Sequence, residues 1–141
     1  MKDDRARALI IKENSILFIK RNRAGDIYYV LPGGHVENDE HPELTVMREI
    51  KEETSLEVKL IKYLDKLVDK DNTVHHIYLC EYLSGTPKLA EDSPELTKES
   101  GIDIYTPMWV EITDLKNIAM WPADIKPFLL NYFKSFFDQP R

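Results

Sequence analysis

"GGHVENDEHPELTVMREIKEETSL", residues Gly33–Leu56, places Glu49, Glu52 and Glu53 close together near its end. At about 100° per residue that spacing puts all three on one side of a helix. Like charges so placed oppose an isolated helix by roughly 0.2–0.5 kcal/mol per pair, so helix stability alone gives no reason for them. Gly33-Gly34 comes first, a pair that permits close backbone approach and positive φ, and Glu37 and Glu40 follow at the loop exit. Pro42 suits the first helical position, where its missing N–H has no intrahelical partner to lose. The helix is therefore predicted over 42–54, with His41 as its N-cap. Leu44, Val46, Met47 and Ile50 form the apolar stripe expected to pack on a sheet, with the acids centred nearly opposite. Arg48 stands four residues before Glu52, within reach of one carboxylate.

Upstream, "ALII" at 8–11 and "ILFI" at 16–19 read as two strands about a turn at Glu13-Asn14. "DIYYVLPGG" is a third, aromatic and β-branched strand stopped by Pro32-Gly33-Gly34. Downstream, 56–68 and 73–83 read as a long hairpin around "DKDN". The stretch 84–106 reads as a long loop with room for a helical turn, and "MWVEI" at 108–112 as a short last strand. Thr113-Asp114 begins a turn or short helix, and a final amphipathic helix is predicted over 123–137, with Pro127 in its first turn. No repeat or linker interrupts the chain, so 1–141 is expected to form one domain with a mixed sheet.

Composition narrows the chemistry. With 141 residues, 43% hydrophobic and 31% charged, the chain has the balance of a soluble globular domain. No apolar run approaches the roughly 20 residues of a membrane span, and no export signal is recognised at the start, so a cytoplasmic protein is expected. The single cysteine, Cys80, rules out an intrachain disulfide and zinc sites built on several cysteines, and its apolar setting suits a buried hydrophobe. Net charge is −6 and the lysines and arginines cluster only in "IKRNR", which argues against a nucleic-acid polymer as partner. An acidic protein handling an anionic substrate needs a bridging cation. Oxygen donors of the kind gathered here suit Mg²⁺, Mn²⁺ or Ca²⁺.

The segment resembles the Nudix box. Gly34, Glu40, Arg48, Glu49, Ile50, Glu52, Glu53 and Leu56 stand at its defining positions, and Lys51 and Thr54 at its variable ones. Ser55 departs from the pattern, where the family has glycine. The resemblance implies the Nudix fold, an α+β (α/β/α) sandwich with a mixed sheet between helices and the box as loop-helix-loop. It also implies Mg²⁺- or Mn²⁺-dependent hydrolysis of a nucleoside diphosphate linked to another group, or of a nucleoside triphosphate. Glu52 and Glu53 would be the principal metal ligands, Glu49 a further ligand or the base, and the Gly34 carbonyl part of the metal shell. Arg48 would orient a glutamate, and Glu37 and Glu40 would play supporting roles. The implied partner is a nucleotide-like small molecule, and a homodimer is left open. A non-catalytic Nudix-fold nucleotide sensor is the alternative, and a structural calcium site ranks last because the spacing is not that of an EF-hand loop.

Outside the box, Glu95 and Glu99, with Glu91 behind them, are candidates for a further catalytic acid. His35, beside Gly34, and Arg21, in "IKRNR", are candidates for substrate binding. His75 and His76 are adjacent on a predicted strand and so face opposite ways. Tyr29, Tyr105, Trp109 and Trp121 are aromatics that suit either a stacking surface or the core.

Overall fold

The computed structural model describes residues 3–89 and 103–137. Among these residues seven strands form one mixed sheet: β1 (Asp4–Lys12), β2 (Ser15–Arg23), β3 (Asp26–Val30), β4 (Gly33–His35), β5 (Glu57–Val68), β6 (Val74–Ser84) and β7 (Asp103–Glu111). Helix α1 is Pro42–Thr54, as predicted; a 3₁₀ turn covers Ile112–Asn117, where a turn or short helix is expected. The predicted last helix is two pieces, α2 (Ile125–Tyr132) and α3 (Lys134–Phe137), because Phe133 leaves helical geometry at φ −101 and ψ 26 while its side chain is buried.

Alternation along each strand divides the core into two layers. Ala6, Ala8 and Ile10 of β1 face α1, where they meet Val46 and Ile50. Leu9 faces the opposite layer with Phe18, Leu31 and Ile77, covered by Leu115, Ile125, Leu129 and Phe133. Helical segments thus cover both faces of the sheet, the layered architecture that the box implies.

Pairing of β1 explains where a cleft can open. It runs parallel to β6 from Asp4↔Val74 to Ile11↔Glu81, a neighbour that no local pattern announces. With β2 it pairs only at the hairpin end, Ile11↔Ile16 and Lys12↔Ser15. Beyond that point the two strands part. β4 takes the free edge of β1, and β3 takes that of β2 from Ile19↔Val30 onward. Leu31-Pro32 crosses between them. The other edge of β2 holds β7 along its whole length, from Ser15↔Glu111 to Arg23↔Asp103. Residues 103–106, expected in a loop, are therefore strand.

The buried face of α1 differs from the expected stripe. Leu44 is 64% exposed and Met47 37%, whereas Glu49 and Glu53 are only 8% and 7% exposed. Val46, Glu49, Ile50 and Glu53 follow the i, i+3, i+4, i+7 spacing of one packed face. Two of the carboxylates thus belong to the inward side of the helix. Burying Val46 and Ile50 contributes about 1.5–3 kcal/mol each, several times the roughly 0.2–0.5 kcal/mol per like-charge pair. Packing against the sheet tolerates the acidic cluster.

Candidate active site

A cavity of about 500 Å³ lies where β1 and β2 part. Gly33, Gly34, Glu49, Glu52 and Glu53 line one part of it; Ile19, Val30, Tyr105 and Trp121 line another. Four arginines, Arg5, Arg7, Arg21 and Arg48, also line it, so in a chain of net charge −6 the cavity sets cations beside the glutamates Glu37, Glu49, Glu52 and Glu53.

The two glycines are required by close approach. A Cβ on Gly33, at φ +152, would stand 2.0 Å from the Ala6 carbonyl oxygen, and one on Gly34 would stand 2.6 Å from Glu49 Oε1. The Gly33 N–H donates to Glu53 Oε1 at 2.7 Å. The Ala8 N–H donates to the Pro32 carbonyl at 2.8 Å and the Val36 N–H to the Asp4 carbonyl at 2.9 Å, with Ala6 opposite Gly34 between them. Antiparallel alternation then assigns both backbone groups of Gly34 to Ala6. This corrects the expectation for the Gly34 carbonyl, which faces the ladder. Across a planar trans peptide the Gly33 carbonyl points opposite to the Gly34 N–H, away from β1 and so outside that ladder.

Arg48 joins the loop to the helix. Its Nε and Nη2 donate to the two carboxylate oxygens of Glu40, each at 3.1 Å, while Nη1 donates to Glu49 Oε1 at 3.0 Å and lies 3.7 Å from Glu52. Glu40 also accepts from Thr45 Oγ1 at 2.6 Å and from the Glu37 N–H at 3.2 Å. Hydrogen bonds from Arg48 and then Thr45 lower the Glu40 pKa to about 2, and the same pairing raises that of Arg48. Arg48 thus does more than orient one glutamate: Glu40 holds the arginine, and the arginine holds Glu49.

Among the described residues no three acidic, histidine or cysteine side chains converge as a ready metal shell. Glu49 and Glu52 lean on Arg48, and Glu53 accepts from an amide. The donor set nonetheless fits a hard divalent cation by chemistry, since every group it offers is an oxygen.

Other expected residues are distributed as follows. His35 lines the cavity, and its Nδ1 lies 2.7 Å from Asp3 Oδ1. Arg21 lines it too, 3.2 Å from Asp103 and 4.0 Å from the Tyr105 ring centroid. Tyr29 packs in the core edge-on to Phe18, and Trp109 sits with Tyr82 and Lys12, away from the cavity. Glu91, Glu95 and Glu99 lie outside the described residues. Cys80 is buried, and burial pushes its thiol up to about 12, as suits an inert hydrophobe.

Arg5 and Arg7 escaped the sequence reading. The signal was present in "RARA" at 5–8, a strict alternation of arginine and alanine that turns both cations to one face of a strand. Of the two adjacent histidines, His75, whose ring contacts Arg7, is fully buried, whereas the His76 ring, partly exposed, binds Asp4 and the Tyr63 hydroxyl.

The model of the NUDIX domain matches residues 1–132. The chain belongs to that family. An ADP-ribose pyrophosphatase of Methanocaldococcus jannaschii is 32% identical over 132 residues, covering 89% of this chain and 70% of the relative. Among solved structures, the solution structure of the E. coli ORF135 protein superposes with a TM-score of 0.68 at 21% identity, covering 99% of this chain and 95% of that one. A MutT NUDIX hydrolase from Burkholderia pseudomallei has a TM-score of 0.64 at 26% identity, covering 92% and 98%. This Nudix chain is accordingly a pyrophosphohydrolase acting on nucleotide-like small molecules, in a family that generally uses divalent metals. No described helix is long and apolar enough to cross a membrane.

Proposed function

We propose that this Nudix hydrolase depends on Mg²⁺ or Mn²⁺ and cleaves the diphosphate of a nucleoside diphosphate joined to a second group, with ADP-ribose the first substrate to test. One observation carries the reading: the three box carboxylates share a cavity with four arginines and two aromatic rings, Tyr105 and Trp121. A diphosphate needs cations on both sides and a base or sugar needs a surface to lie on, and a cavity of about 500 Å³ is of ligand size. The name of the relative from M. jannaschii favours ADP-ribose among such molecules.

In this proposal Glu52, Glu53, Glu49 and the Gly33 carbonyl hold the cation. When bound, the cation would neutralise phosphate oxygens and make phosphorus more electrophilic. Glu49, a few ångströms from Arg48, is the candidate to orient and deprotonate the attacking water. Arg48 fixes the loop through Glu40. Arg21 and His35 are assigned to substrate, and Glu95 and Glu99 are retained on sequence grounds as further catalytic acids. The single cysteine suits a reducing cytoplasm.

The test is a panel of ADP-ribose, nucleotide sugars, dinucleoside polyphosphates and nucleoside triphosphates, assayed with Mg²⁺ and with Mn²⁺. ADP-ribose should yield AMP and ribose phosphate, and Glu53→Gln or Glu52→Gln should remove turnover without unfolding the chain. Turnover in excess chelator, or near-parental rates for both variants, would end the metal assignment. Faster release of pyrophosphate from triphosphates than of AMP from ADP-ribose would replace the substrate.

A further inference from the structure

Arg7 is 3% exposed, yet it lines the cavity beside the box carboxylates. Its Nε donates to His75 Nδ1 at 3.2 Å and its Nη1 to the Leu31 carbonyl at 3.1 Å. Nη2 has no hydrogen-bond partner among the described residues. His75 accepts at Nδ1, so its proton resides on Nε2, which donates to Asp69 Oδ2 at 2.9 Å. The other Asp69 oxygen is committed as well: Oδ1 accepts the Asp71 N–H at 2.8 Å and the Thr73 N–H at 3.1 Å in the β5–β6 turn. The Trp121 ring flanks the guanidinium with its centroid 5.7 Å from Cζ. A turn, a neutral imidazole and a backbone carbonyl thus hold a guanidinium by two of its three nitrogens.

Burying a charge is unfavourable unless something pairs it. Burial lowers the Arg7 pKa to about 10, with Glu53 pulling the other way, so the group stays cationic at neutral pH. Burial, aided by the Arg7 charge, holds His75 below its ordinary pKa against the opposite influence of Asp69. For Asp69, burial acts upward, but the hydrogen bonds from His75, Asp71 and Thr73 prevail and its pKa is lowered. The chain of groups is charged, neutral and charged, with the cation at the cavity end. Such a guanidinium is well suited to a phosphate oxygen, which it meets with a charge-assisted hydrogen bond and no rotamer left to order.

We propose that Arg7 is a substrate-binding residue that donates from Nη2 to a phosphate oxygen of the diphosphate, and that His75 and Asp69 are its positioning residues. The inference rests on the diphosphate reading above. Its substrate class is the anion alone: Arg7 recognises the diphosphate whatever groups flank it.

The experiment measures binding of inorganic pyrophosphate and of the non-hydrolysable α,β-methylene analogue of ADP-ribose by calorimetry in Mg²⁺, alongside kcat and KM for ADP-ribose. The proteins are the parent, Arg7→Met, Arg7→Lys and Asp69→Asn. Arg7→Met and Arg7→Lys should weaken both probes by about tenfold or more, with KM changed more than kcat. In Asp69→Asn the Oδ1 atom stays on the two turn amides, so the new amide NH₂ faces His75. The imidazole then carries its proton on Nδ1, opposite the Arg7 Nε–H, donor against donor. ¹⁵N spectra of His75 should show that change of tautomer, and binding should weaken as it does in Arg7→Lys. If Arg7→Met does not fold, Arg7→Lys, which keeps the charge, decides.

Folded Arg7 variants that bind both probes within twofold of the parent overturn the proposal. A changed tautomer with unchanged affinity overturns the positioning role of Asp69 and His75. A parent that binds pyrophosphate through Arg7 but hydrolyses nothing on the panel sinks the catalytic reading and leaves this one standing. A parent that binds neither probe sinks both.

Discussion

Gly33 and Gly34 are neighbours, yet an added methyl group should act differently at each. At Gly33 the obstacle is backbone, the Ala6 carbonyl, and φ +152 is strained for any L side chain. Gly33→Ala is therefore expected to destabilise the fold by about 2–4 kcal/mol, read from urea unfolding; a change near zero would mean that β4 does not hold this conformation. At Gly34 the obstacle is the carboxylate tip of Glu49, which can swing aside. Gly34→Ala should fold with a smaller loss of stability but lower kcat by roughly 10²-fold, as a displaced catalytic group does. Turnover equal to the parent would show that the position of Glu49 does not matter. Glu40 makes a third prediction. Its folded pKa of about 2 lies below the ordinary 4.5, so its contribution to stability is present above about pH 4.5 and is lost as pH falls toward 2. Glu40→Gln should lower stability at pH 7 and flatten the parent's acid slope across that window. Parallel stability–pH curves for the two proteins would count against the Arg48–Glu40 clamp. The residue types of this clamp were legible in the box spacing. The partner was not, because Glu40 lies outside the helix, and only the path of the chain ahead of Pro42 brings it to Arg48, eight positions on.

At the scale of elements, α1 matches its predicted bounds because its signals, Pro42 at the start and the apolar spacing after it, are local. It ends at Ser55 in the left-handed conformation, φ 61 and ψ 12, where the family has glycine. The serine hydroxyl donates to the Lys88 carbonyl at 2.8 Å, while the Lys88 N–H donates to the Thr54 carbonyl at 2.9 Å, so the helix end is tied to the chain after β6. Ser55→Gly relieves roughly 1 kcal/mol of left-handed strain and loses an exposed hydrogen bond of comparable size, about 0.5–1.5 kcal/mol. It should leave the melting temperature nearly unchanged. Ser55→Ala keeps the strain and loses the bond, and should melt lower, by about 1 kcal/mol of stability. Equal melting temperatures for Ser55→Ala and the parent would show that the hydroxyl contributes nothing. The face of α1 was misjudged for a reason of the same scale. Periodicity ranks faces by apolarity, whereas this helix turns two carboxylates inward to a cleft, and exposes Leu44 and Met47 instead.

At the scale of the whole molecule, Cys80 lies in the layer beneath α1, 1% exposed, with its thiol pushed up to about 12 by burial. Alkylation at pH 8 should therefore follow global unfolding, with a denaturant midpoint equal to that from circular dichroism; rapid labelling of the native chain would reveal local opening of β6. The sequence by itself determined the kind of fold, the family and the three acids of the box, since these are written in spacings of a few residues, where helix and strand periods operate. Tertiary structure alone decided how β1 and β2 part to open the cleft, which glycine carbonyl turns away from β1, and why Arg7 lines the cavity. Arg7 meets Leu31 across 24 positions and His75 across 68. Only the parallel pairing of β1 with β6 brings those last two together, and strand neighbours are chosen by the packing of the whole sheet, which no local period encodes.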